Sequence, residues 1–138
     1  MKRSNREYFN QQVEWVLDRL PRKVLRLLLE VPLHVENQPS KRLMEELEIG
    51  DPEELCGYFT CVPFTEASIL GAHVYAPADV PVLTSITIFR RGIVAASRDE
   101  WGKVSRNQLR EEIRITILHE LAHLHGLDED EITEIGYG

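Results

Sequence analysis

The chain has 138 residues, 43% of them hydrophobic, with 23 acidic side chains against 16 basic ones and a net charge of −7. That length suits one compact domain with one core, so 1–138 is read as a single domain with no room for a second catalytic lobe. The acidic balance argues against nucleic acid as a partner, since phosphate binding needs an excess of basic side chains. No apolar run reaches membrane-spanning length, and the basic N-terminus leads into no apolar signal core, which gives a cytoplasmic expectation with no membrane partner.

The first predicted element is an amphipathic helix over 7–20, with Phe9, Val13, Val16, Leu17 and Leu20 on one stripe and Ser4 or Asn5 as N-cap. Pro21 fits the first turn of a second helix through Val24, Leu25, Leu28 and Leu29, and Pro32 forces extended chain after it. Val31, Leu33 and Val35 then alternate with polar partners as a half-buried strand, which leaves His34 facing solvent. Residues 41–49 read as a short helix capped by Ser40 and ended by Gly50, with Leu43 and Leu47 inward.

From 51 to 82 the pattern loses its period, punctuated by Pro52, Gly57, Pro63, Gly71, Pro77 and Pro81; a long excursion with a short strand near 58–62 is expected. His73 lies within it, the weakest of the metal candidates. Cys56 and Cys61, spaced C-x4-C, match neither a zinc knuckle nor a disulfide framework and read as free thiols. Residues 85–89 form the best strand, β-branched and alternating, with Ile86 and Ile88 inward, ended by Arg90-Arg91-Gly92. A short apolar helix or turn follows over 93–97, then a loop at Asp99-Glu100-Trp101-Gly102. The last long helix opens at Ser105 and Gln108 in capping-box spacing and closes at Gly126. Its buried face carries Leu109, Ile113, Ile117, Leu118, Leu121 and Leu124; Arg106, Arg110 and Arg114 form a solvated stripe beside Glu111.

That helix holds the chemistry. Within Thr116-Ile117-Leu118-His119-Glu120-Leu121-Ala122-His123-Leu124-His125-Gly126, the H-E-x-x-H spacing puts His119 and His123 one turn apart on the same face, where both can ligate one tetrahedral metal. Glu120 lies beside them, able to hold a water as general base. Imidazoles on an otherwise apolar helix need partners, and a metal supplies them. Two histidines do not complete a zinc site, and the third ligand is sought after Gly126 among Asp128, Glu129, Asp130, Glu131 and Glu134. The pattern H-E-x-x-H-x-x-G-x-x-E places Glu129 where metzincin-type sequences carry a third histidine, with Asp130 and Glu134 as alternatives. Asp128 and Glu131 also form a capping box for a last short helix, so acids there have a second use.

The segment from Thr116 to Asp130, with Ile135-Gly136-Tyr137, resembles the small bacterial zincin-like metallopeptidases, or minimal zincins. The resemblance continues through Val62-Pro63-Phe64-Thr65-Glu66 and Ile86-Thr87-Ile88-Phe89-Arg90-Arg91. It implies an α+β domain in which a small mixed sheet and N-terminal helices back the active-site helix. It also implies a Zn2+ peptidase whose third ligand is acidic. The chain departs from true metzincins in having no methionine after the motif, since Met1 and Met44 both precede it. His125 stands where an apolar residue is usual.

The expected reaction is hydrolysis of a peptide or protein substrate by metal-activated water, with Glu120 moving the proton and residues 85–89 as the edge along which an extended peptide pairs. Tyr137 can serve the oxyanion or pack on the domain. Two other classes compete: a zincin-like interaction domain with weak or lost metal binding, and a small metal-dependent endoribonuclease, against which Glu120 and the acidic charge both count.

Overall fold

The computed structural model describes residues 1–63 and 82–124. In chain order these form α1 (Arg3–Leu17), α2 (Arg22–Glu30), β1 (Leu33–Glu36), α3 (Lys41–Glu46), a 3-10 turn (Pro52–Glu54), β2 (Gly57–Pro63), β3 (Val82–Phe89), α4 (Arg90–Ala96) and α5 (Arg106–Leu124). Five helices and one small mixed sheet make an α+β domain of the expected class.

The strand order is β1-β3-β2. β1 runs parallel to β3, pairing Leu33 with Ile86 and Val35 with Ile88, while β2 runs antiparallel to it, pairing Gly57 with Ile88 and Phe59 with Ile86. β3 is therefore the centre of the sheet, with both backbone edges used, and the expectation that it offers an edge to a substrate is corrected. Centrality explains its composition, because Ile86 and Ile88 are fully buried between two neighbours and the helices.

One face of the sheet packs on the helices. Phe9, Val13 and Val16 of α1, Ile93 of α4, and Leu109, Ile113, Ile117, Leu118 and Leu121 of α5 close with Ile86 and Ile88 into a single core. Burying each of these large side chains contributes about 1.5–3 kcal/mol relative to leaving it in water. The stripes read from the sequence on α1 and α5 are thus the faces that meet.

The helix ends follow local chemistry, with corrections. α5 opens on a reciprocal capping box: Ser105 Oγ accepts from Gln108 N at 3.1 Å, and Gln108 Oε1 accepts from Ser105 N at 3.2 Å. Ser40 caps α3 by accepting from Leu43 N at 3.1 Å. At α1 the N-cap is Lys2, without a side-chain cap bond, and Ser4 and Asn5 lie inside the helix. α3 stops before Gly50. Ile49 N reaches Met44 O at 2.9 Å and Glu48 N reaches Glu45 O at 3.2 Å, a Schellman ending whose left-handed position is Glu48 at φ 57°. Leu47, at the end of α3, faces solvent at 39% exposure rather than inward, and on α2 Leu29 faces solvent at 86%.

β3 passes into α4 without a loop, so Arg90-Arg91-Gly92 starts a helix as well as ending a strand. Arg90 is buried and anchors that junction. Its Nε and Nη2 donate to Asn10 Oδ1 at 3.2 and 3.0 Å, and its Nη1 donates to Asn37 Oδ1 at 2.8 Å. Gly92 makes the junction sterically possible, because a Cβ there would lie 2.0 Å from Leu55 O. The arginines of α5 are not a plain solvated stripe either. Arg110 Nε donates to buried Gln12 at 2.7 Å and its guanidinium stacks 3.8 Å from the Trp15 ring centroid, tying α5 to α1. Arg114 does pair with Glu111, at 3.5 Å.

Candidate metal centre

The last two turns of α5 carry His119, Glu120 and His123, held by the burial of Ile117, Leu118, Leu121 and Ala122 on the helix's other side. His119 Nε2 and His123 Nε2 lie 2.9 Å apart, with ring planes at 74° to one another. Both Nε2 atoms therefore converge on one point beside the helix. Two nitrogens bound to a single tetrahedral zinc at about 2.05 Å each stand about 3.3 Å from one another. The spacing found is a few tenths of an ångström shorter, a gap that small ring rotations close. The same geometry lets one imidazole donate a hydrogen bond to the other, so the pair fits a metal or a shared proton.

Glu120 is half-buried, on the seam between α5 and β2. Burial pushes its carboxyl above the usual carboxylate range, while positive charge on His119 and His123 pulls the other way. A carboxylate so raised is a better proton acceptor near neutral pH. Its stem runs over Gly57, where a Cβ would come within 3.0 Å of Glu120 Cγ and 2.8 Å of Thr116 Cγ2. Thr116 Oγ1 in turn donates to Glu112 O at 2.7 Å, which holds its methyl against the strand.

Two more ionisable groups flank the seam. Burial raises the Cys56 thiol, with Glu112 and Glu120 adding to the effect, which favours the thiol over the thiolate. Burial also raises the Glu112 carboxyl, with Glu111 as a second cause. Nothing in the local sequence pattern marks Gly57 as the residue beneath Glu120, or Thr116 as the packing residue beside it. Gly57 left only a general signal, as a glycine opening an otherwise β-branched and aromatic strand marks a close backbone approach.

Among the described residues, no third histidine, cysteine or acid joins His119 and His123 in a group able to hold a metal. The proposed third ligand Glu129, its alternatives Asp130 and Glu134, and Asp128, His125, Gly126, Tyr137 and His73 lie outside the described residues. His34 is exposed on β1, as expected. No described helix is long and apolar enough to cross a membrane.

No curated protein matches the chain. The model of the zincin-like metallopeptidase family matches residues 28–138, which run from the last turn of α2 onward and include α5 and its histidines. The chain, with its mixed sheet backing an H-E-x-x-H helix, belongs to the zincin-like metallopeptidase family.

Proposed function

We propose that this chain is a single-domain zinc peptidase in which His119 and His123 are two metal ligands, Glu129 is the third, and Glu120 is the general base. The observation that carries the reading is the convergence of the two Nε2 atoms, 2.9 Å apart, beside a carboxyl whose pKa burial has raised. Zinc in that position supplies Lewis-acid polarisation of the scissile carbonyl and makes water more acidic.

The chain's own groups do the rest. The imidazole nitrogens of His119 and His123 would hold the metal, with the helix fixing their separation. A carboxylate oxygen of Glu120 takes the proton of the attacking water and then delivers it to the leaving amide nitrogen, which departs as a neutral amine. The apolar seam around Glu120 limits water at the carboxylate and keeps its basicity matched to that task. An extended peptide finds backbone donors and acceptors along β2, the strand nearest Glu120, whose outer edge pairs with no strand among the described residues. Peptide or protein is the substrate class, with no nucleic acid.

Elemental analysis and zinc titration test the reading. Purified protein is expected to hold about one zinc per chain, and His119→Ala with His123→Ala is expected to abolish it. Stoichiometric zinc in the double variant puts the metal elsewhere and removes the basis for the mechanism.

A further inference from the structure

We propose that Gly57 is a positioning residue for Glu120, its missing side chain leaving the channel through which the Glu120 stem reaches the site. The inference rests on the reading of Glu120 as general base, and it extends that reading to a residue on another element.

The geometry is specific. Gly57 sits on β2 with ordinary strand backbone, as the positive-φ glycine among the described residues is Gly102 at 76°. Alanine is thus compatible with the local conformation, and the demand for glycine comes from space alone. The direction of a Cβ at 57 points at two side chains of α5, Thr116 Cγ2 at 2.8 Å and Glu120 Cγ at 3.0 Å. Two effects are bundled there. Thr116 is buried, and its methyl cannot retreat, because the hydroxyl on the same carbon is held by Glu112 O at 2.7 Å. A collision with it forces strand and helix apart and is a packing defect. Glu120 ends in a movable carboxyl, so a collision with its Cγ swings the stem and carries the carboxylate off its place. The strand also cannot yield freely, because Gly57 is paired with Ile88 and Phe89 N donates to Cys56 O at 2.8 Å.

Thr116→Ser separates the effects, as it deletes the methyl and keeps the hydroxyl bond to Glu112 O. By itself it is expected to leave peptide hydrolysis and zinc affinity at wild-type values. Gly57→Ala is expected to lower both the melting temperature and kcat. The double variant, Gly57→Ala with Thr116→Ser, is expected to recover the melting temperature and keep wild-type zinc affinity. Its kcat is expected to stay several-fold down with little change in KM, because the Glu120 stem must give by a few tenths of an ångström and a full 1 Å misplacement costs about 100-fold. If kcat returns along with the melting temperature, Gly57 serves packing alone and the proposal is overturned.

A readout independent of turnover keeps this test apart from that of the peptidase reading. In protein labelled with 13C-glutamate, Glu120 Hγ is expected to show a nuclear Overhauser contact to Gly57 Hα, and in the double variant its Cγ resonance is expected to move. Should the wild type hydrolyse no peptide, the peptidase reading fails, while these signals still decide whether Gly57 sets the stem. Absence of the contact, or an unmoved Cγ resonance in the folded double variant, overturns the proposal.

Discussion

Glu120 leans across Gly57: the stem of the one touches the backbone of the other, with 3.0 Å between Glu120 Cγ and the place a Cβ would take. A carboxyl therefore sits on the apolar seam between α5 and β2, where its neutral form is favoured. The stability consequence has a definite sign. A carboxyl whose folded-state pKa is raised stabilises the fold most when protonated, below the unfolded value of about 4.3, and that contribution is lost as pH rises through the raised folded value. Metal-free Glu120→Gln is thus expected to be more stable than wild type at pH 7 to 8, with the gap closing as pH falls into the carboxylate range. Denaturant melts across that interval check it, and a pH-independent gap assigns the effect to something other than ionisation.

With zinc present the same substitution reads the mechanism. Glu120→Gln is expected to retain about one zinc per chain while peptide hydrolysis falls by about 100- to 10,000-fold, the usual contribution of a positioned general base. Equal turnover in both proteins would show that whatever hydrolyses the peptide does not depend on Glu120.

The acids after Gly126 divide by what their loss does. Glu129→Ala is expected to weaken zinc binding strongly while changing metal-free stability by no more than about 0.3–1 kcal/mol, the usual value of an acid in a helix's first turn. If the spacing of Asp128 and Glu131 makes the capping box that the sequence predicts, Asp128→Ala is expected to leave zinc affinity alone and to cost about 0.5–2 kcal/mol. Zinc titrations and thermal melts of both, alongside Asp130→Ala and Glu134→Ala, identify the ligand; wild-type affinity in Glu129→Ala transfers the role to whichever of the others loses it.

Away from the site, Arg110→Ala is expected to destabilise the fold, chiefly through what it does to Gln12. It strips the partner from the buried Gln12 amide, a loss of about 1–3 kcal/mol, and removes the stacking on Trp15. Adding Gln12→Leu to Arg110→Met is expected to recover most of the loss, since no orphaned amide remains. A double-mutant cycle by urea unfolding measures it, and additivity within about 0.5 kcal/mol would mean the two side chains do not communicate.

Glu48→Gly is expected to stabilise by about 1 kcal/mol, because the Schellman position after α3 holds a left-handed conformation that costs a residue with a Cβ about that much. An unchanged denaturation midpoint would indicate that α3 ends differently in solution.

How far these features could be seen beforehand depended on how local their causes are. The motif helix was legible because its start is fixed by Ser105 and Gln108, three residues apart, and its buried face by a regular stripe. The α1 stripe was legible for the same reason. The central position of β3 was not, since it depends on pairing with strands 19 to 53 residues away, from Pro63↔Val82 to Leu33↔Ile86. Nor was the start of α4 at Arg90, whose partners Asn10 and Asn37 are 80 and 53 residues distant. At the site, spacing alone pointed to His119, Glu120 and His123 as a group. Gly57 belongs to another element, and only the meeting of β2 with α5 gives it meaning.

The strand order also sets a timetable. Among the described residues, both outer strands of the sheet precede the central one in the chain, so there β1 and β2 have no strand neighbour until Val82–Phe89 has been made. At ordinary synthesis rates β3 follows β2 off the ribosome by on the order of a few seconds, during which two strands wait with their backbone groups open to water or to other chains. α5, which the sheet backs, comes later still. Among the described residues, Phe9, Val13 and Val16 of the N-terminal half thus meet Ile86, Ile88 and Ile117 only once the segment that carries the histidines has been made.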